Sequence, residues 1–401
     1  MQLADPKPLA DAIGASFPSR PFKIAFWDGT ELPATEQAEA GIPTFTVRSP
    51  KAVAHALRAP GQLGLGRAYV SGEIQVDDMD ATIALLSNWT PPPVETKDRL
   101  RLMAMALRAM GPTLPPAPPK AELVLKGKRH SKERDAEAVR YHYNVSNEFF
   151  SLFLDDSMTY SCAFFSPDAT SLEAAQQAKL NLTADKLAIG EGDRVLDIGC
   201  GWGSFVIRAT ERGAKEVLGV TLSEPQAERA RERVAEAGVA DRVTIEVRDY
   251  RDLTGTYDKI ASIGMVEHVG VENIDLYASQ LRGLLAPDGR LLNHGITRLR
   301  HNDPEAGPFT ERYVFPDGDP VQLSRVLLAM ERAGLQTRHV EDFGDDYAET
   351  LRHWAARLDD NLERAVQLAG EERVRVWRLY LRAAGNGFRN KFTSIYQVLC
   401  Y

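Results

Sequence analysis

The chain has 401 residues, which is longer than one ordinary domain and predicts two or three folding units. Hydrophobic residues make up 44% of it, charged residues 26% and aromatic residues 8%, and these values exclude a disordered or low-complexity chain. A formal net charge of −8 argues against general nucleic-acid binding, which needs many basic residues to neutralise phosphates.

The cysteines and the apolar runs indicate a cytoplasmic protein. Cys162, Cys200 and Cys400 are an odd, widely spaced set with no CxxC or Cys/His spacing, so we expect neither disulfides nor a metal site. No apolar run reaches the roughly 18 to 20 residues that cross a membrane, and the first residues lack the pattern of a signal peptide. We therefore expect a reducing, cytoplasmic setting.

The first 89 residues read as a small α+β domain. The region has short β-like runs at Phe22–Phe26 and Thr44–Arg48 and a helical segment near Ala52–Ala59, and glycines mark turns between them. Residues 1–89 are accordingly predicted to form an N-terminal accessory domain.

Residues 90–135 are predicted to be a proline-rich basic linker. Proline clusters at 91–93 and 115–119, which disfavour helix and strand interiors, bracket a basic, methionine-rich helix candidate at Lys97–Met110. Residues 96–140 carry 11 Lys/Arg against 5 Asp/Glu, a net charge of +6. Two interpretations stay open: the stretch lies on an anionic membrane surface, or it is a solvated helix that packs its Met/Leu face on a neighbouring domain.

From residue 136 to residue 401 the pattern predicts one α/β catalytic domain. Helical segments separate apolar strand runs at 194–198, 216–220, 243–247, 259–263 and 289–293. Strands that alternate with helices at this spacing form right-handed βαβ units and a mostly parallel sheet. Ligands of such sheets bind at the carboxyl ends of the strands.

A glycine-rich loop follows the first of these strands and marks a candidate cofactor site. Gly199, Gly201 and Gly203 have GxGxG spacing, and Ser204 stands where the third glycine of a dinucleotide fingerprint would be. The preceding acid, Asp197, favours a ligand with a positive charge, such as the amino-acid portion of S-adenosylmethionine (SAM). A tight strand-to-helix turn without a ligand is the structural alternative.

The next two strand ends supply further candidate cofactor contacts. The second strand ends in the stretch TLSEPQ at 221–226 without the usual acid for ribose hydroxyls, so hydroxyl and amide groups would have to substitute. The third ends at Asp249 and Tyr250, an acid and an aromatic that could recognise the adenine edge and face. Asp249 acting only as a helix cap is the competing interpretation.

Several ordered motifs carry a family resemblance. They are YHYNVSNEFF at 141–150, MTYSCAFF at 158–165, the glycine loop, GMVEHVG at 264–270 and NHGI at 293–296. Together they resemble the cyclopropane-fatty-acyl-phospholipid synthase family, which includes the mycolic acid methyltransferases, closely over residues 136–401 and more loosely before that. The resemblance implies a class I, Rossmann-like SAM-dependent methyltransferase with a seven-stranded, mostly parallel sheet and an accessory domain that binds lipid.

The resemblance also implies a reaction. The family transfers a methyl group from SAM to the double bond of an unsaturated acyl chain, and loss of a proton from that methyl closes a cyclopropane ring. A base is then needed inside an apolar pocket, where relatives use a bound bicarbonate ion. By resemblance, its site comprises Cys162, Glu267, His294, Ile296 and Tyr347. Taken singly, each has an ordinary packing role as its alternative.

Further roles follow from the same resemblance. The implied cofactor contacts are Tyr160, Ser161, Asp197, Gly199, Gly201, Gly203, Thr221, Leu222, Gln226, Asp249 and Tyr250. Tyr143 is a candidate wall for the developing cation, because an aromatic face stabilises positive charge without trapping it. Ala384 stands where many relatives have a cysteine, which excludes a covalent mechanism through that position.

The predicted partners are a phospholipid with an unsaturated acyl chain, the inner face of the membrane in peripheral contact, and a second copy of the chain in a homodimer. Three alternatives stay open. The product could be a methylene- or methyl-branched acyl chain, the substrate could be a small molecule methylated on nitrogen or oxygen, or the protein could bind lipid without catalysis.

Overall fold

The computed structural model describes residues 4–38, 41–114, 116–143, 145–299 and 307–401. The helices are α1 (Lys7–Ser16), α2 (Pro50–Arg58), α3 (Gln62–Val70), α4 (Met79–Asn88), α5 (Thr96–Met110), α6 (Lys132–Tyr143), α7 (Asn147–Ser151), α8 (Leu172–Leu187), α9 (Ser204–Glu211), α10 (Glu224–Glu236), α11 (Ile274–Leu284), α12 (Pro308–Tyr313), α13 (Leu323–Arg332), α14 (Gly344–Asp360), α15 (Leu362–Ala369) and α16 (Glu371–Arg389). The strands are β1 (Lys23–Ala25), β2 (Glu31–Leu32), β3 (Thr44–Val47), β4 (Ile74–Val76), β5 (Arg194–Ile198), β6 (Glu216–Thr221), β7 (Val243–Val247), β8 (Tyr257–Ile263), β9 (Leu285–Arg298), β10 (Thr337–Asp342) and β11 (Thr393–Cys400).

A seven-stranded sheet forms the centre of the larger of two compact units. Its order is β10-β11-β9-β8-β5-β6-β7, and the pairs among β5 to β9 are all parallel. Strand β11 runs antiparallel between β9 and β10. The predicted α/β class with a mostly parallel, seven-stranded sheet is confirmed, and the order reverses at β5, whose carboxyl end is where such sheets bind ligands.

Both faces of this sheet are buried, as a parallel sheet requires. Successive residues of β5 point to opposite faces, so Val195 joins a core with α8, α9 and α10, whereas Leu196 and Ile198 join a core with α11 and α13. All three side chains are at most 2% exposed. The glycine loop after β5 is therefore held between two helical layers.

The smaller unit contains a four-stranded mixed sheet of order β2-β1-β3-β4 and helices that cover it. Strand β1 pairs antiparallel with β2 and parallel with β3. Its core gathers Leu9, Phe26, Val47, Ala68 and Ala109. The predicted α+β character of the N-terminal region is confirmed.

The division between the units differs from the predicted boundaries at residues 89 and 135. The smaller unit comprises Met1–Leu123, Gly307–Val314 and Gly370–Asn386. Helix α5 lies in the predicted linker, yet it buries Ala109 and packs Met105 against the N-terminal core. Apolar burial on one helix face outweighs the flanking prolines, of which Pro115 lies outside the described residues. Within the described part of the chain, no helix is both long and apolar enough to span a membrane.

Candidate active site

A large cleft opens at the carboxyl ends of β5, β6 and β8. It encloses about 1170 Å³ of empty space, part of which is open to solvent. Tyr143 and every predicted cofactor residue except Gly203 line it, namely Tyr160, Ser161, Asp197, Gly199, Gly201, Thr221, Leu222, Gln226, Asp249 and Tyr250. The fold thus brings residues from five separate segments to one site, as the sequence predicted, and their individual roles remain predictions.

The glycine loop needs its glycines for backbone reasons. Gly199, Gly201 and Gly203 have φ values of 84°, 53° and 84°, a region that other L-residues rarely adopt. Gly203 does not line the cleft but precedes helix α9, and a Cβ there would lie 3.3 Å from Cβ of Ala230. Two glycines thus expose backbone to the cleft, while the third lets two helices approach closely.

Asp197 is the acid that the loop was predicted to aim at a cationic ligand group. Its side chain is 2% exposed, and its Oδ1 atom has no hydrogen-bond partner among the described residues. Burial raises the pKa of this carboxyl to about 7, although the nearby Lys179 opposes the shift. A buried acceptor without a partner is costly, so a ligand ammonium group would satisfy this atom.

Thr221 and Gln226 satisfy each other at the end of β6. The Thr221 hydroxyl donates to Oε1 of Gln226 at 2.8 Å, and the Thr221 oxygen accepts a hydrogen bond from the Ser223 backbone N–H. This arrangement fixes both side chains at the cleft wall and leaves the Gln226 amide nitrogen as the donor available to a ligand.

Asp249 caps a short turn and lies in the wall of the cleft. Its carboxylate caps a short 3₁₀ turn by accepting the Arg251 backbone N–H, and the side chain also lines the cleft. The Arg251 guanidinium binds Asp249 at 2.6 Å and Asp135 at 2.9 Å. Burial alone would raise the pKa of Asp249, but its hydrogen bonds with Arg251 hold that pKa below the usual value. Asp249 therefore stays ionised and oriented beside Tyr250.

Tyr143 and Tyr160 belong to an aromatic cluster at one side of the cleft. The Tyr143 ring lies 6.0 Å from Tyr160 and 6.3 Å from Trp202, both with edge-on geometry. His142 Nε2 is 3.3 Å from the Tyr160 hydroxyl, and Phe150 packs behind them without exposure. Aromatic rings of this kind attract a cationic group through their electron-rich faces, and Tyr143, Tyr160 and Trp202 line the cleft.

Glu267 and His294 are two of the five residues predicted for the anion site, one in the turn after β8 and the other in the neighbouring strand β9. Glu267 is in the 3₁₀ turn that follows β8, and its Oε1 atom accepts the Ile296 backbone N–H at 2.8 Å. Its Oε2 atom and the Nε2 atom of His294 are both buried without a hydrogen-bond partner among the described residues. Ile296 N–H, which was predicted to hold the anion, is thus already used by Glu267.

His294 is inside a strand rather than just after one. The sequence predicted a strand ending at Asn293, but β9 continues to Arg298 because its segment from Leu291 to Arg298 pairs with β11, including His294 with Gln397. The Gln397 side-chain nitrogen is 3.4 Å from His294 Nδ1. Burial lowers the pKa of His294 well below 6.5, so the ring is neutral.

Cys162 and Tyr347 join this region through Phe343. Cys162 is fully buried; its thiol donates to the Ala163 carbonyl at 3.1 Å, and burial raises its pKa well above 9.0. The same sulfur is 3.6 Å from the Phe343 carbonyl, which also accepts the Tyr347 backbone N–H. The Phe343 ring lies 5.7 Å from the ring of His294. None of the five predicted anion-site residues lines the large cleft.

The structure adds cleft residues that sequence reasoning missed. They are Asp135, Lys179, Trp202, Arg251, Met265 and His268. Helical periodicity could have predicted that Lys179 is buried, because it lies on the face of α8 that carries Leu172, Ala175, Leu180 and Thr183. Arg251 had none, since its partners Asp249 and Asp135 meet only in the folded chain.

The chemistry of this site fits a sulfonium cofactor. The described residues contain no group of three or more His, Cys, Asp or Glu side chains placed to hold a metal ion. Exposed loop backbone, an unpartnered buried carboxylate oxygen and electron-rich rings suit a nucleoside that carries an amino acid and a positive charge. Fold and site together define a SAM-dependent methyltransferase.

Comparison with known proteins identifies the family. Residues 130–398 match the mycolic acid cyclopropane synthetase family, and the chain belongs to it. A probable fatty acid methyltransferase of Mycobacterium tuberculosis is 38% identical over 94% of this chain and 90% of its own. The cyclopropane-fatty-acyl-phospholipid synthase of Escherichia coli is 34% identical over 84% of this chain and 83% of its own.

A solved structure agrees in fold. The crystal structure of a mycolic acid cyclopropane synthase complexed with SAH and CTAB superposes with a TM-score of 0.63 and 33% sequence identity. The alignment covers 66% of this chain and 97% of that one. The suspected family and the methyltransferase class are both confirmed.

Proposed function

We propose that the protein transfers a one-carbon unit from SAM to the double bond of unsaturated acyl chains in phospholipids and forms cyclopropane fatty acids. The observation that carries this proposal is that Glu267 Oε2 and His294 Nε2 are each buried without a hydrogen-bond partner among the described residues. The Escherichia coli relative, named for this reaction, supports it.

Each of these two groups suits a small anion with hydrogen-bonding capacity. Burial raises the pKa of Glu267 to about 7, against the opposing effect of its hydrogen bond from Ile296, so a substantial fraction is the neutral acid near neutral pH. A neutral carboxylic acid and a neutral imidazole both donate hydrogen bonds, whereas a carboxylate would repel an anion. Bicarbonate, when bound, would supply the base that accepts the proton lost from the transferred methyl group.

The remaining residues position the reactants. Tyr143, Tyr160 and Trp202 line the cleft with aromatic surface that stabilises positive charge and offers no strong nucleophile. The alkene must lie in line with the methyl–sulfur bond, because a π bond is a weak nucleophile and gains most from alignment. Phe149 and Phe150, which are fully buried, are packing residues and do not line the cleft.

A second candidate keeps the methyl transfer but changes the product. If the proton leaves from a chain carbon, the product is a methylene-branched acyl chain, the precursor of a methyl-branched one. The Mycobacterium tuberculosis relative, named a fatty acid methyltransferase, favours this outcome. A non-catalytic lipid-binding protein is the third candidate, and absence of cofactor binding by calorimetry would support it.

Lipid analysis after expression tests the first two candidates together. Phospholipid acyl chains from a host expressing the wild-type protein should gain the mass of one CH₂ group, and a matched E267Q strain should lack the gain. Mild catalytic hydrogenation leaves a cyclopropane unchanged but adds two hydrogens to a methylene branch. If hydrogenation adds two hydrogens to the modified acyl chain, the product is the methylene-branched chain and the cyclopropane proposal is wrong.

We further propose that helix α5 contacts the inner face of the membrane. One face of α5 exposes Leu100, Met103 and Leu107, with 62%, 49% and 50% of each side chain accessible. The exposed basic residues Lys97 and Arg101 flank them. The apolar side chains of such a helix insert into the surface of an anionic bilayer, and the basic side chains are attracted to its anionic headgroups.

Vesicle co-sedimentation tests this contact. Wild-type protein should bind phosphatidylglycerol vesicles and bind neutral phosphatidylcholine vesicles much less, with binding that falls as salt rises. Serine at Leu100, Met103 and Leu107 should abolish binding, while serine at the exposed Leu276 of the larger unit should not. Equal binding by the triple variant would remove α5 from the contact. The homodimer is a separate proposal, tested by light scattering of the purified protein.

A further inference from the structure

Lys179 is a buried cation that the roles described so far do not use. It lies on the core-facing side of α8, is 1% exposed, and still lines the cleft at its inner end. Burial lowers the pKa of its ammonium group to about 8, with Asp155, Cys162 and Asp197 opposing the shift. An ammonium group in this position is retained at a cost in solvation, which calls for a compensating partner.

The protein supplies Lys179 with only part of that compensation. Its Nζ atom donates to the Ser161 hydroxyl oxygen at 2.9 Å, and the described residues provide no other acceptor for it. An ammonium has three N–H donors, so two remain for groups that enter the cleft. Ser161 lines the cleft as Lys179 does, so the hydrogen bond between them lies at the wall of the site.

Asp197 presents the opposite charge in the same cleft. Its Oδ1 atom has no hydrogen-bond partner among the described residues and forms no direct ion pair with Lys179, although each group shifts the pKa of the other. Both side chains line the cleft, and Oδ1 of Asp197 does not bind the Lys179 ammonium group. A ligand that carries one positive and one negative charge can therefore bind to both. The zwitterionic end of an α-amino acid has matching charges.

We propose that Lys179 binds the α-carboxylate of the methionyl part of SAM. Ser161 orients the ammonium group of Lys179, and Asp197 binds the α-ammonium group of SAM. The site then binds both charged groups of the amino acid. It selects cofactor forms that carry an intact α-carboxylate over decarboxylated ones. This proposal concerns cofactor recognition only and holds whichever lipid product is formed.

Calorimetric titration with two non-reactive ligands tests the proposal. One is S-adenosylhomocysteine, and the other is its decarboxylated analogue, which keeps the amine and the adenosine. Because a hydrogen-bonded charge pair is worth roughly one to two orders of magnitude in affinity, wild-type protein should prefer S-adenosylhomocysteine by about 10- to 100-fold. K179M, which keeps the unbranched stem, should bind both ligands alike, at about the wild-type affinity for the analogue.

The controls separate a contact from a folding defect. Lys186, on the same helix, pairs with Glu341 and does not line the cleft, so K186M should keep the wild-type preference. K179Q, polar and uncharged, is the second variant should K179M fail to fold. The proposal is overturned if wild-type protein shows no preference, if the Lys179 variants keep it, or if they weaken both ligands equally. A preserved preference together with lost bicarbonate dependence would assign Lys179 to the anion site instead.

Discussion

Replacing Glu267 by glutamine should make the ligand-free protein more stable at alkaline pH while it removes activity. Burial raises the pKa of Glu267 from 4.5 to about 7. Between these values the folded protein keeps a proton that the unfolded chain has released, so the free energy of unfolding falls as pH rises through this window. Glutamine is neutral at every pH and does not incur this loss.

The magnitude follows from the shift. A pKa raised from 4.5 to about 7 corresponds to roughly 3 kcal/mol between the two protonation states of a fully buried group. Most of this difference develops above pH 5, so the advantage of E267Q over wild type should grow by about 2 kcal/mol between about pH 5 and about pH 8. The Ile296 N–H keeps its acceptor in the variant, because the glutamine carbonyl can replace Oε1 of Glu267.

Denaturant unfolding of both proteins at the two pH values measures this change. Asp197, whose pKa is also raised to about 7, adds its own pH dependence to both proteins and cancels in the comparison. E228Q, at an exposed position of α10, is the matched control and should follow wild type at both pH values. Turnover of E267Q should fall by orders of magnitude, with affinity for S-adenosylhomocysteine nearly unchanged.

Two results would refute this reasoning. An E267Q protein whose stability advantage does not change with pH would show that Glu267 is not held neutral by burial. Wild-type turnover in the same variant would remove Glu267 from the reaction, whatever its effect on stability.

Two further substitutions test the cofactor cleft. R251M leaves the carboxylates of Asp249 and Asp135 without their shared counter-ion, so we expect a loss of about 3 kcal/mol in stability and weaker cofactor binding, measured by denaturant unfolding and calorimetry. G203A forces a side chain onto a φ of 84° and should destabilise the protein by about 1–2 kcal/mol. An unchanged unfolding midpoint in G203A would show that the loop relaxes without strain.

The local pattern of the chain predicted most of the methyltransferase fold. The strand runs predicted at 194–198 and 243–247 coincide with β5 and β7, since alternation of apolar runs and helices depends on near neighbours in sequence. The glycine loop could be predicted because glycine adopts positive φ values more readily than any other residue. The glycine loop and the motifs at 141–150, 158–165 and 264–270 likewise contribute residues to one cleft, whereas the five predicted anion-site residues do not line it.

Only the tertiary structure decided how distant segments combine. Residues 307–314 and 370–386 join the smaller unit, β11 enters between β9 and β10, and His294 becomes an interior strand residue. Such pairings close long loops and leave no local signal. The tertiary structure also pairs Arg251 with two carboxylates. Among the described residues, it leaves one oxygen of Glu267 without a partner and gives Lys179 a single acceptor, and this burial depends on the whole fold.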